Sequence, residues 1–106
     1  MKTGSIFANL PENIPEEIFE TITSSENVTI ERIISKGHRS PEGFWYDQDR
    51  HEWVMVIQGE AKISFETKDE PVILKAGDHI LISPHCRHRV DWTDPACVTI
   101  WIAVHF

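Results

Sequence analysis

Cysteine, basic residues and long apolar runs are scarce in this chain of 106 residues, and each shortage excludes a class of protein. The two cysteines, Cys86 and Cys97, form no CxxC pair, which argues against a disulfide scaffold and predicts reduced thiols. The balance of 10 Lys+Arg against 17 Asp+Glu gives a formal net charge of −7, which would repel a phosphate backbone. We therefore expect neither a nucleic-acid partner nor a membrane partner.

Residues 1–11 contain no uninterrupted apolar stretch that could form the core of a signal peptide. No later segment approaches the length of a membrane span, so we expect a cytoplasmic protein. A length of 106 residues suits one domain with a modest core, and residues 1–106 are predicted to form a single domain. The chain also lacks a nucleophile elbow, a phosphate loop and an HExxH motif.

Short strands separated by turns dominate the pattern. Alternating or continuously apolar segments lie at residues 28–35, 53–57, 61–67, 72–74, 79–83, 87–92 and 98–106. Gly59 predicts a tight turn and a hairpin between two of these strands. Only residues 15–22 carry a helical pattern, with a proline and acidic residues in the first turn. The sequence therefore predicts an all-β double-sheet jelly roll with a short N-terminal helix.

Two segments, residues 43–59 and 77–92, combine glycines with side chains that bind metals or move protons. In the second segment, the alternation of residues 87–92 turns His88 inward and the charged side chains outward. In the first, Glu52 stands at the start of a strand that is apolar on both faces. A lone carboxylate inside a β-barrel is costly unless it is neutralised, paired or metal-bound. His88 is a plausible partner for Glu52 in such a pocket.

These segments resemble the paired motifs of the cupin superfamily, which are written G-x5-H-x-H-x3,4-E-x6-G and G-x5-P-x-G-x2-H-x3-N. The spacing of Glu52 and Gly59 matches the end of the first motif, and Gly77 and His88 match the second. The resemblance spans about residues 37–104. It implies a cupin-type jelly-roll barrel, with motif one at about 43–59 and motif two at about 77–92.

The resemblance also implies a divalent metal ion in the barrel, with iron, manganese, zinc and nickel not distinguishable. The predicted ligands are Gln48, Glu52 and His88, with Tyr46 and His51 as weaker candidates. In this alignment, anchored on Gly59, residues 46 and 48 stand where the family has its two histidines. Anchoring on Gly43 instead places Asp49 and His51 there. We favour the first alignment because a strand and its turn are stiffer than the preceding loop.

The function that the resemblance implies is that of a small-molecule-binding cupin, in its enzymatic form a metal-dependent dioxygenase or isomerase. Glu52 and Tyr46 are then the candidates for proton exchange. The alternative is a non-catalytic sensor or binding module without a tight metal. Equally, Glu52 could form an ion pair at the barrel rim and His88 could be a hydrogen-bonded core residue. A homodimer is predicted because both faces of residues 53–57 need cover.

Overall fold

The computed structural model describes residues 1–106 as two antiparallel sheets without a helix. The strands are β1 (Ile18–Ser24), β2 (Thr29–Ser35), β3 (Glu52–Gln58), β4 (Glu60–Phe65), β5 (Val72–Lys75), β6 (His79–Ile82), β7 (His88–Thr93) and β8 (Thr99–His105). Their order is β1-β2-β8-β3-β6 in a five-stranded sheet and β5-β4-β7 in a three-stranded sheet. The all-β double-sheet prediction is confirmed. The predicted jelly-roll barrel is not closed, because the two sheets stay separate.

Residues 15–22 do not form the predicted helix. β1 begins at Ile18 and pairs antiparallel with β2, from Ile18 opposite Ile34 to Ser24 opposite Thr29. The segment is rich in β-branched residues, and the pairing offered by β2 outweighs a short helical pattern. The structure contains no helix that is long and apolar enough to cross a membrane.

The predicted hairpin at Gly59 is also wrong. β3 pairs with β6 and β8, whereas β4 pairs with β5 and β7, so the chain passes from one sheet to the other at this glycine. Gly59 has a φ of +91°, and a Cβ atom there would lie 2.7 Å from the Cα atom of Thr99. Only glycine combines this left-handed backbone with the close approach of a neighbouring strand.

The apolar core lies between the two sheets. Its buried members are Ile33, Val54, Val56, Ala61, Ile63, Phe65, Leu74, Ile82, Trp101 and Ala103. β3, β4 and β8 each contribute alternate residues to it, as the pleat requires. Trp101 donates its indole N–H to the Ser35 hydroxyl at 3.2 Å, so its one polar atom is satisfied inside the core. The packing ends in a group of polar side chains where β3 and β7 begin and β8 ends.

Candidate functional site

A pocket opens between the sheets at this polar end. It contains about 520 Å³ of empty space, part of it open to solvent. The apolar part of its wall includes Val54, Ile82 and Trp101. Four of the five residues predicted as ligands also line it, namely Tyr46, Gln48, Glu52 and His88.

Glu52 occupies the centre of the polar end. It is the first residue of β3, pairs with His105 of β8, and is only 8% exposed. One carboxylate oxygen lies 3.4 Å from Nε2 of His88 and the other lies 3.8 Å from Nε2 of His105. Both contacts are longer than an ordinary N–H···O hydrogen bond. A buried carboxylate without a well-placed donor is destabilising, which marks this position as one that a bound group would stabilise.

His88 is 5% exposed and faces Glu52 from β7. Its Nδ1 lies 2.9 Å from the carbonyl oxygen of Cys86 and donates to it, because a carbonyl can only accept. A neutral ring would then turn the lone pair of Nε2 towards the carboxylate. Burial lowers the pKa of His88, but Glu52 and the Cys86 carbonyl outweigh it and raise the pKa above 6.5. A proton on Nε2 between His88 and Glu52 is thus favoured.

Tyr46 comes from the loop before β3 and packs against His88. The Tyr46 N–H donates to the His88 carbonyl at 2.7 Å, and the two rings stack with centroids 5.3 Å apart. Burial, followed by the charges of Glu17, Glu52 and Glu31, raises the pKa of the Tyr46 phenol above 10. The phenol therefore stays protonated at neutral pH and acts there as a hydrogen-bond donor rather than as a base.

Gln48 and His51 lie on opposite sides of the chain. The amide oxygen of Gln48 is buried in the pocket wall and has no hydrogen-bond donor. His51 is exposed, and its ring stacks on Phe106 with centroids 5.1 Å apart. The structure thus places Gln48 at the pocket and His51 outside it, as strand parity with Glu52 predicts.

The arginines near this end make other pairs. Arg87 contacts Glu66 at 2.7 Å and Arg89 contacts Asp91 at 3.1 Å. Arg50 donates to the carbonyl oxygen of His105 at 2.9 Å. Glu52 is therefore not the partner of a rim arginine.

Three further ionisable residues line the pocket without having been predicted as ligands: Glu17, Glu31 and His105. Nε2 of His105 lies 3.0 Å from a carboxylate oxygen of Glu31. Glu17 accepts a hydrogen bond from the Ser35 hydroxyl, and burial raises the pKa of the Glu17 carboxyl above 4.5. The sequence offers one indication that His105 faces the pocket, namely that it shares its strand parity with Trp101 on β8. Its place beside Glu52 could not be predicted, because it depends on the register in which β8 pairs with β3.

The donor geometry bears on the predicted metal. No group of three or more His, Cys, Asp or Glu side chains is arranged to hold a metal ion. His105 is engaged by Glu31, which leaves His88 and Glu52, with the amide oxygen of Gln48 as a third donor. This set is smaller than a typical transition-metal site with several imidazole ligands.

Comparisons with known proteins identify the family. The family model described as a cupin domain matches residues 32–105. A crystal structure from Ralstonia eutropha JMP134, of a protein named as a candidate mannose-6-phosphate isomerase, is 47% identical with a TM-score of 0.96. The alignment covers 99% of this chain and 97% of that chain. No curated protein matches the sequence significantly.

More distant structures share the fold alone. A cupin superfamily protein from Desulfitobacterium hafniense DCB-2 has a TM-score of 0.74 at 15% identity, covering 92% of this chain and 83% of that chain. A cupin from Methanocaldococcus jannaschii with a double-stranded β-helix fold has a TM-score of 0.69 at 17% identity, covering 91% and 84%. With the family model spanning most of the sequence, these matches show that the chain belongs to the cupin family.

Proposed function

We propose that the pocket binds a small polar molecule and that Glu52 is its principal recognition group. The observation that supports this proposal is that Glu52 is almost fully buried at the pocket wall without a well-placed hydrogen-bond donor. A carboxylate removed from water needs donors or positive charge, and the chain offers only two histidine nitrogens, at 3.4 and 3.8 Å. A bound molecule that donates hydrogen bonds would supply what is missing.

The rest of the pocket suits such a molecule. Apolar side chains of both sheets line it together with a few polar groups, as in most small-molecule sites. In an enzymatic version, His88 would carry and release the proton, because its raised pKa keeps it protonated closer to neutral pH than an ordinary histidine. Tyr46 would hold the molecule through its phenol.

The name of the Ralstonia relative suggests a sugar phosphate, but this pocket does not favour one. None of its lining residues is Lys or Arg, and three of them, Glu17, Glu31 and Glu52, carry carboxylates. A phosphate would face these carboxylates with only His88 and His105 as possible positive partners. We therefore propose a non-phosphorylated ligand.

A fragment screen tests this proposal. Amide shifts of ¹⁵N-labelled protein would be followed against small amines, alcohols and carboxylates, and binders should move the amides of Tyr46, Glu52 and His88. Glu52→Gln should weaken these binders, whereas Glu66→Gln, at an exposed ion pair with Arg87, should not. Shifts confined to other regions, or equal binding by both variants, would contradict the proposal.

A divalent metal is a second candidate for the same position, and Gln48 is the observation that favours it. Its partnerless amide oxygen lines the same pocket as Glu52 and Nε2 of His88. The bond from Nδ1 of His88 to the Cys86 carbonyl is an arrangement common among metal-binding histidines. A metal held by three protein donors would keep coordination positions open. There it would act as a Lewis acid on an oxygen of the bound molecule.

Elemental analysis of protein purified without chelator, with calorimetric titration of Mn²⁺, Zn²⁺ and Ni²⁺, separates the two candidates. If a metal binds, Glu52→Ala and His88→Ala should each lose most of it. Gln48→Ala should weaken binding more than His51→Ala, the matched control outside the pocket. Abolished binding in His51→Ala with normal binding in Gln48→Ala would contradict the placement described above.

A further inference from the structure

The charges that face the pocket are unbalanced. Glu17, Glu31 and Glu52 line it, and its only basic side chains are His88 and His105. Burial is the largest cause of the raised pKa of the Tyr46 phenol, and the charges of these three carboxylates raise it further. All three therefore act on the same part of the pocket. The pocket is therefore a region of negative potential within an apolar setting, where charge interactions are stronger than in water.

Not every acceptor in this region is free. Glu31 is paired with His105 at 3.0 Å, and Glu17 accepts the Ser35 hydroxyl. Two acceptors remain: the carboxylate of Glu52, whose side chain is 11% exposed and whose nearest donors are histidine nitrogens at 3.4 and 3.8 Å, and the buried amide oxygen of Gln48, which has no donor. The complementary ligand group therefore carries both positive charge and several donors.

The rest of the pocket wall determines what kind of molecule can carry this group. Eight of the 14 lining residues are hydrophobic, and three of these are the aromatic residues Phe19, Tyr46 and Trp101. Apolar side chains offer few partners to a polyhydroxylated molecule, but they pack against a short alkyl or aryl chain, and aromatic faces attract a cation. We propose that the pocket selects a primary ammonium group on a short apolar body. This inference rests on the proposed function and names its ligand class.

A matched series of three probes isolates the head group. Butylammonium, 1-butanol and butyrate each have four carbon atoms and differ in charge and donors. Each would be titrated into chelator-treated, ¹⁵N-labelled protein near neutral pH at constant ionic strength, with the amides of Tyr46, Gln48, Glu52 and His88 followed. Butylammonium should bind at least about tenfold more tightly than butanol, and butyrate should give no saturable shift.

Other orders of affinity among the probes would lead to different conclusions. Equal affinity for butanol and butylammonium at these amides overturns the ammonium inference and leaves the small-molecule site intact. Tighter binding of butyrate, inorganic phosphate or mannose 6-phosphate at the same amides also overturns it, and contradicts recognition by Glu52 as well. If no probe shifts these amides at millimolar concentration, both the inference and the proposed function fail.

Substitutions test whether Glu52 and Gln48 are the acceptors that bind the ammonium group. Glu52→Gln should lower butylammonium affinity about tenfold or more and butanol affinity by less, since the alcohol donates one hydrogen bond to the carboxylate without a charge interaction. Gln48→Met keeps the size of the side chain but removes an acceptor, and should cause a smaller loss. Glu66→Gln outside the pocket is the matched control. Equal losses in Glu66→Gln and Glu52→Gln would show general charge attraction and overturn the inference, and a dispersed amide spectrum would establish that each variant is folded.

Discussion

The two faces of the five-stranded sheet differ sharply in chemistry. β3 turns Glu52 and Val54 inward and Trp53 and Met55 outward, where they remain half-buried. On the inner face, ionisable groups stand among apolar residues in a pocket that the second sheet covers. On the outer face, apolar side chains lie side by side without a second sheet, and Leu81 of β6 is 55% exposed. We propose that the inner face receives a ligand and the outer face a partner.

The same alternation of side chains produces both faces. A slip of one residue in the pairing of β3 would turn Glu52 out and Trp53 in, and would remove the pocket and the apolar outer face together. The two faces can nevertheless be disturbed separately by single substitutions. The following predictions are ordered by the expected size of the effect.

Truncation of the inner-face Trp101 should cause the largest loss of stability. Trp101 is 3% exposed and hydrogen-bonded to Ser35, so Trp101→Ala removes a large core side chain and should cost about 3–5 kcal/mol of unfolding free energy. Its neighbour Ile102 faces outward and is half-buried, so Ile102→Ala should cost about 1–2 kcal/mol. Urea denaturation at low protein concentration measures both. Equal losses would mean that the outer face is covered as tightly as the core.

The passage of the chain between the sheets depends on Gly59. Gly59→Ala should lose about 2–4 kcal/mol, because the new methyl group meets the Thr99 backbone and the φ of +91° strains alanine. Gly77→Ala is the matched control, since its φ is +94° but nothing lies within 4 Å of the new Cβ atom. It should lose only about 1–2 kcal/mol. Similar losses in both variants would assign the whole effect to backbone strain.

We propose that the outer face joins two copies of the chain as a homodimer. Light scattering at micromolar concentration should give about twice the 12.2 kDa of one chain. Trp53→Glu should raise the dissociation constant at least about tenfold by placing a charge in the apolar face. Ile73→Glu makes the same kind of change on the three-stranded sheet, where Ile73 is 51% exposed, and should leave the mass unchanged. A monomer mass for the unmodified protein would refute the dimer.

The smallest expected effect concerns Glu17 at the pocket edge. Burial raises the pKa of this carboxyl, so between its unfolded and folded pKa values the folded state holds the extra proton. The stability of the unmodified protein should therefore fall, relative to Glu17→Gln, as the pH rises from about 4.5, the ordinary pKa of a glutamate, through the raised folded pKa. The glutamine can still accept the Ser35 hydroxyl. Parallel pH profiles of unfolding free energy for the two proteins would contradict the role of burial.

Local patterns in the sequence were sufficient for much of the inner face. Alternation turned His88 inward, parity separated His51 from Glu52, and the motif spacing led to the family that the comparisons then showed. Tyr46 and Gln48 were found by counting back from Glu52, and both line the pocket. That they act as ligands remains a prediction. These inferences needed only the two-residue period of a strand and the spacing of a motif.

Tertiary structure decided the features that depend on distant partners. Ile18 to Ser24 became a strand because β2 offered an edge to pair with, which a short helical pattern could not outweigh. Gly59 became a crossing between sheets because Thr99 of β8 lies against it. The pairing of His105 with Glu31 and its place beside Glu52 follow from the register of β8 between β2 and β3. Alternation tells which face a side chain occupies, but only strand pairing tells which side chains it meets there.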